Sequence, residues 1–189
     1  MLRFARWLPL LLAITLVPGC AFLNQRAATR AIADAEQAWA KIAQQAHNVV
    51  PDQAKAIEDG IAAAKSKFAT DPAAALAEAK VANEKIRALA EELPGLQAKL
   101  EDQWKDLSTT VPNALAALKK KLDDVGEPPA AMPERKQFDT IKATCAPLAT
   151  RWEEARSLSA SGKLADACAK GEDVKATAVQ LIAELQTGS

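Results

Sequence analysis

The chain has 189 residues, 49% of them apolar and 25% charged, with 24 basic and 24 acidic side chains in formal balance. That length fits one domain or a double one, and a chain so rich in apolar residues and so evenly charged is not a disordered one. A near-neutral surface has no electrostatic reason to follow a phosphate backbone, so nucleic acid is excluded as an expected partner. Alanine dominates the apolar fraction, in runs such as Ala62-Ala63-Ala64 and Ala73-Ala74-Ala75, and Leu, Lys, Gln and Glu are plentiful beside it. All are strong helix formers. Only seven glycines are present, and Val and Ile form no alternating runs, which argues against sheet. Small side chains bury little area apiece, so a core of Ala and Leu requires close helix approach or a few large residues that carry the packing.

Met1 to Trp7 carries Arg3 and Arg6, and Leu8 to Val17 is an apolar stretch interrupted by Pro9 and Thr15. A positive segment, a short apolar one and a small residue before a cut describe a secretory signal, too short for a membrane span of ~20 residues. The run Val17-Pro18-Gly19-Cys20 resembles the lipobox of bacterial lipoproteins. That motif has an aliphatic residue three before the Cys, a small one directly before it, and the Cys itself; Pro18 stands where Ala, Ser or Thr is usual. The resemblance covers about the first 21 residues. It implies a diacylglycerol thioether on Cys20, usually with an amide-linked third chain, and thus a membrane partner reached through acyl chains. Each buried CH₂ adds ~0.8 kcal/mol, so two or three chains anchor stably where one would not. Ala21 rather than Asp after the Cys implies the outer membrane, periplasmic face, in a Gram-negative host, and the cell membrane in a Gram-positive one. The alternative is an ordinary signal peptide, or an uncleaved anchor, in which Cys20 is incidental. Loss of residues 1–19 removes two Arg and no acid, leaving two net negative charges.

Residues 20–30 read as a lipidated N-terminus and short tether. The first helix follows, with Ile32, Ala35, Trp39, Ile42, Ala46 and Val49 forming one apolar stripe. After Pro51, a second stripe runs Ala54, Ile57, Ile61, Ala64 and Phe68. Asp71-Pro72 supplies an N-cap and a first-turn proline for a third helix with Leu76, Ala79, Ala82, Ile86, Leu89 and Leu93. Pro94-Gly95 is expected to end it. The fourth stripe runs Leu96, Leu100, Trp104, Leu107 and Val111, breaks or bends at Pro112, and resumes with Leu115, Leu118, Leu122 and Val125. Residues 126–133, with three prolines, form a linker that cannot continue a helix. A fifth stripe is Phe138, Ile141, Cys145, Leu148, Trp152 and Ala155, kinked at Pro147; Ser161-Gly162 turns the chain into a sixth with Leu164, Ala167, Gly171, Val174, Ala178, Leu181 and Leu185. Alternating spacings of three and four mean that every helix buries one narrow face. The predicted fold is all-α: an antiparallel bundle of about six amphipathic helices, or two helical-hairpin subdomains, with residues 31–125 as its first part and 134–186 packing on it as its second. Residues 64–93 loosely match 155–185, and Val-Pro pairs recur at 50–51 and 111–112. Ala-rich helices also produce such matches by composition alone.

Beyond Cys20, two cysteines remain, Cys145 and Cys168. An even number in an oxidising compartment makes a disulfide a candidate, closing a loop of 24 residues and adding ~3 kcal/mol of stability. Straight helices turning at Ser161-Gly162 would separate the two by ~15 Å along the axis, however, so either Pro147 redirects the chain or both are small buried hydrophobes. His47 is the sole histidine, placed where a cation suits the end of the first helix. No Glu-x-x-His, Cys-x-x-Cys, Gly-x-Ser-x-Gly or Gly-rich phosphate loop is present, so neither metal, cofactor nor catalytic residue is expected. Asp123-Asp124, Glu91-Glu92 and Glu153-Glu154 are adjacent, hence about 100° apart on a helix, and read as solvated faces. Lys119-Lys120-Lys121 suits a helix C-terminus, with an anionic lipid or cell-wall contact as the alternative. Trp39, Trp104 and Trp152 lie on the stripes as volume-fillers, or line an apolar groove.

The expected function is therefore that of a membrane-anchored, non-catalytic scaffold or protein-interaction module of the cell envelope. Its envelope partner is not legible from these residues. The alternative is a binder or carrier of a hydrophobic small molecule or lipid.

Overall fold

The structure is a computed structural model that describes residues 18–128 and 134–187, with backbone alone for 18–22, 134 and 187. The positively charged and apolar stretch before Pro18 and residues 129–133 of the expected linker lie outside the described residues. All regular elements among them are helices: α1 (Pro18–Val49), α2 (Pro51–Lys67), α3 (Pro72–Val125), α4 (Glu134–Cys145), α5 (Leu148–Ala160) and α6 (Leu164–Thr187). The all-α prediction is borne out, and the helix-period stripes face inward except at the end of the fourth, where Val125 is exposed. Ala35, Trp39, Ala46 and Val49 of α1, and Ala54, Ile57, Ile61 and Ala64 of α2, are buried as their spacing requires.

The punctuation follows the chemistry of the turns. Asp71 Oδ1 accepts a hydrogen bond from the Ala74 amide at 2.9 Å, capping α3 ahead of Pro72. At the end of α5, the Lys163 amide donates to the Leu158 carbonyl and the Gly162 amide to that of Ser159. This is a Schellman ending, with Gly162 at φ +82° where a side chain would be strained. Gly126, at φ +66°, ends α3 in the same left-handed conformation.

Four features differ from those expected. Pro94-Gly95 does not end a helix, and α3 also runs unbroken through Pro112. Each proline removes one backbone bond, at a cost of about 3 kcal/mol in a helix interior. Both are exposed, as are Ala90 and Ser108 four residues earlier, so water reaches the freed carbonyls. The apolar rhythm from Leu89 through Leu122 never loses phase, and continued burial along it offsets the loss. Pro147 does interrupt: α4 ends at Cys145 and α5 begins at Leu148, with Pro147 at φ −80°, ψ −10°. Residues 20–30, expected as a tether, belong to α1.

The chain forms two compact units, and the division falls inside α3 between Glu91 and Glu92 rather than at residues 126–133. Unit one holds α1 to Gln44, α2 from Asp52 and α3 to Glu91. Its register is written in cross-helix bonds: Trp39 Nε1 donates to Glu58 at 3.3 Å, Lys65 meets Glu36 at 2.6 Å, and Lys67 meets Glu78 at 2.7 Å. These pairs converge on the turns, making α2 antiparallel to both neighbours. Asn83 donates to the Ala31 and Ala79 carbonyls at 2.9 Å, tying α1 to α3 in parallel. Alanines 28, 35, 54, 64, 75, 79 and 82 are at most 2% exposed, so the backbones can approach closely.

Unit two holds residues 45–51 and everything from Glu92 on. Here α5 runs antiparallel to α6, with Arg151 on Asp173 and Glu154 on Lys170, while α6 runs parallel to α3, with Glu172 on Gln103 and Lys175 on Asp106. Its core joins Leu107, Val111, Leu118, Leu148, Trp152 and Val174. Gly171 sits where a Cβ would meet Leu107 Cδ1 at 3.1 Å and Trp152 Cζ3 at 3.3 Å. Residues 64–93 and 155–185, matched loosely in sequence, are both helix–turn–helix segments; the Val-Pro pairs are not equivalent, since Val50-Pro51 separates α1 from α2 and Val111-Pro112 lies within α3.

Asp71→Ala should cost about 1 kcal/mol of stability in a denaturant titration, through loss of the cap alone. Gly171→Ala should destabilise by about 1–3 kcal/mol despite its better helix propensity, because Leu107 and Trp152 are themselves buried in the core, and should perturb Trp emission.

Candidate functional site: an apolar groove in the second unit

Cys20 lies in the first turn of α1, described by backbone only. The candidate disulfide is not formed: Cys145 and Cys168 are both free thiols. Cys168 is buried on α6 and its Sγ donates to the Leu100 carbonyl at 3.4 Å, so it faces α3. Cys145 ends α4 and turns into a groove instead. The interruption at Pro147 therefore does not bring the two sulfurs together. Burial pushes both thiols above their ordinary pKa, with Glu172 adding to the effect at Cys168, which makes them poor nucleophiles.

The three tryptophans are divided between the two units. Trp39 belongs to unit one and is 8% exposed, with its indole N–H bonded to Glu58. Trp104 and Trp152 belong to unit two and stack on each other, centroids 5.3 Å apart and planes at 27°. Trp152 is buried and with Leu107 fills what Gly171 leaves open, while Trp104 is half-buried against that core.

An apolar groove does exist, displaced from the stack toward the end of α3. It encloses about 690 Å³ between the last turns of α3, α4 and the start of α5, with Leu115, Leu122, Phe138, Cys145, Ala146 and Ala149 among its walls. Leu115 and Ala149 also border a second hollow of about 500 Å³ that reaches Trp152. The volume suits a small apolar ligand. Lys119, Asp123, Glu127 and Lys142 stand around the mouth. Glu127 accepts from Lys142 Nζ at 2.6 Å and from Arg135 Nη1 at 3.4 Å. Arg135 also donates to the Pro128 carbonyl at 3.1 Å and to Asp139 at 3.0 Å, which pins the entry to α4 beside the groove. Phe138 and Cys145 share one apolar stripe in the sequence; of the tryptophans expected to line a groove, Trp152 borders the hollow of about 500 Å³.

The remaining sequence candidates stay apart. His47 is exposed in the last turn of α1. Lys120 pairs with Asp124 at 2.8 Å. Glu153 is bound to Arg156 and Glu154 to Lys170, so those neighbouring carboxylates point to different partners. Among the described residues, no three His, Cys, Asp or Glu gather as a metal site, and no helix is long and apolar enough to cross a membrane. Comparison with known protein families, curated proteins and solved structures finds no match to this chain.

The Lys142 hydrogen bond, followed by the charges of Lys142 and Arg135, holds the Glu127 carboxyl below its ordinary value of 4.5. A depressed folded pKa contributes stability above the unfolded value and loses it as pH falls through the folded one. Glu127→Gln should therefore lower Tm slightly at neutral pH, and the difference from the unsubstituted protein should vanish once the pH is below that of the bound carboxylate.

Proposed function

We propose that this chain is a lipid-anchored lipoprotein of the bacterial envelope, held to the outer membrane on its periplasmic face through acylated Cys20, and that its helical units form a non-catalytic scaffold or interaction module. The observation that carries the reading is the run Val17-Pro18-Gly19-Cys20 directly behind a basic and then apolar segment. Cys20 lies three residues into α1, so an acylated N-terminus would leave no slack between lipid and helix. Helices whose charges pair across neighbours and whose apolar stripes are internal suit a rigid module better than a catalyst. Cys20→Ala should move the protein from the detergent phase to the aqueous phase of a detergent split. Intact mass of the unsubstituted protein should show a chain starting at residue 20 with two or three acyl groups and two titratable thiols. A chain starting at Met1 with three thiols would refute the anchor.

A second reading is favoured by the groove of α3, α4 and α5: a carrier of a hydrophobic small molecule, with a volume of about 690 Å³ and walls of Leu, Phe and Ala. An apolar fluorescent probe such as anilinonaphthalene sulfonate should bind saturably. Leu115→Glu should weaken that binding about tenfold by removing apolar contact, with helical circular dichroism unchanged.

A further inference from the structure

The outer face of α1 near its start is used by neither the core nor the groove. Leu23 is 67% exposed, the highest value among the exposed large apolar side chains described. At about 100° per residue, Ala28, Ala35 and Trp39 define the buried face of α1, and Leu23, Arg26 and Arg30 share the opposite one. Leu23 thus has no core to enter however its side chain rotates. Its company is mainly basic: from Pro18 to Ala33, α1 carries Arg26 and Arg30 and no acid, and the first carboxylate, Asp34, follows one turn after Arg30 on the same face, farther from Cys20.

We infer that this face of α1 rests on an anionic lipid surface, with Leu23 entering the boundary between headgroups and acyl chains and Arg26 and Arg30 meeting lipid phosphate. The inference rests on the reading of Cys20 as the anchored residue. A singly exposed Leu needs no partner; what assigns one is its distance from the anchor and the charge beside it. If α1 stands upright on Cys20, Leu23 is ~5 Å, Arg26 ~9 Å and Arg30 ~15 Å along the axis. The headgroup layer is about 5–8 Å deep on each side of the hydrocarbon, and the Debye length at physiological salt is ~8 Å. Leu23 lies inside that layer, Arg26 at its edge and Arg30 at the limit of its field. Tilting α1 toward the membrane brings both arginines in, so attraction sets the tilt as well as the contact. Apolar insertion flanked by Arg is the pattern by which helices settle into anionic interfaces.

The test uses the full acylated protein in vesicles of phosphatidylcholine, with and without phosphatidylglycerol. A benzophenone amino acid at position 23 reports lipid adducts by mass, and the same probe at position 179, another exposed apolar site of α6, is the control. Each Arg near an anionic surface is worth roughly a fivefold factor. Adducts at position 23 should therefore fall about fivefold or more in neutral vesicles, in high salt, and in Arg26→Glu/Arg30→Glu, with Arg26→Glu the larger single effect. Equal yields on neutral and anionic vesicles, or equal yields at positions 23 and 179, overturn the contact. If the protein carries its acyl mass but position 23 forms no adduct, the contact fails and the anchor stands; if the acyl mass is missing and the chain leaves the vesicles, both fail.

Discussion

Close approach of helices is the constraint on which the rest of this structure depends. An interior made mostly of alanine yields little free energy per residue, so the backbones must come near enough for methyl groups and main chain to touch. In unit one the seam of Ala28, Ala35, Ala54, Ala64, Ala75, Ala79 and Ala82 does this, and Asn83 reaches the Ala31 carbonyl because the helices are that close. Unit two solves the same problem with larger pieces. Leu107, Leu118, Leu148 and the Trp104–Trp152 stack fill its core, and one position without a side chain, Gly171, lets α6 settle against them.

That constraint also explains the long α3. A helix broken at Pro94 would interrupt the stripe that unit one and unit two both bury, and the continuous helix keeps Leu89, Leu93 and Leu107 inside at the expense of backbone bonds at exposed positions. Helix-breaking propensity is a local preference, whereas the stripe is summed over many residues. At Pro147 the chain does yield, and the interruption that separates α4 from α5 lies beside the groove lined by Phe138, Cys145 and Ala149.

Charge plays a supporting part. The ion pairs lie at the surface, where each is worth about 0–1 kcal/mol, so they mark register more than they supply stability. Along the first turns of α1, Arg26 and Arg30 face outward beside the proposed acyl anchor. The geometry of anchor, exposed Leu and Arg is what a helix lying close to a membrane would need.

The residues alone determined the helical class, most of each helix's buried face, the cap at Asp71 and the turn at Ser161-Gly162, because period and turn chemistry are local properties of a chain. They also carry the run at Cys20 on which the proposed address rests. Tertiary structure alone decided that α3 runs through two prolines, that the units divide at Glu91, that Cys145 and Cys168 stay apart, and that a hollow opens beside Phe138. Each of these depends on burial summed across helices distant in sequence, and no local pattern encodes that sum.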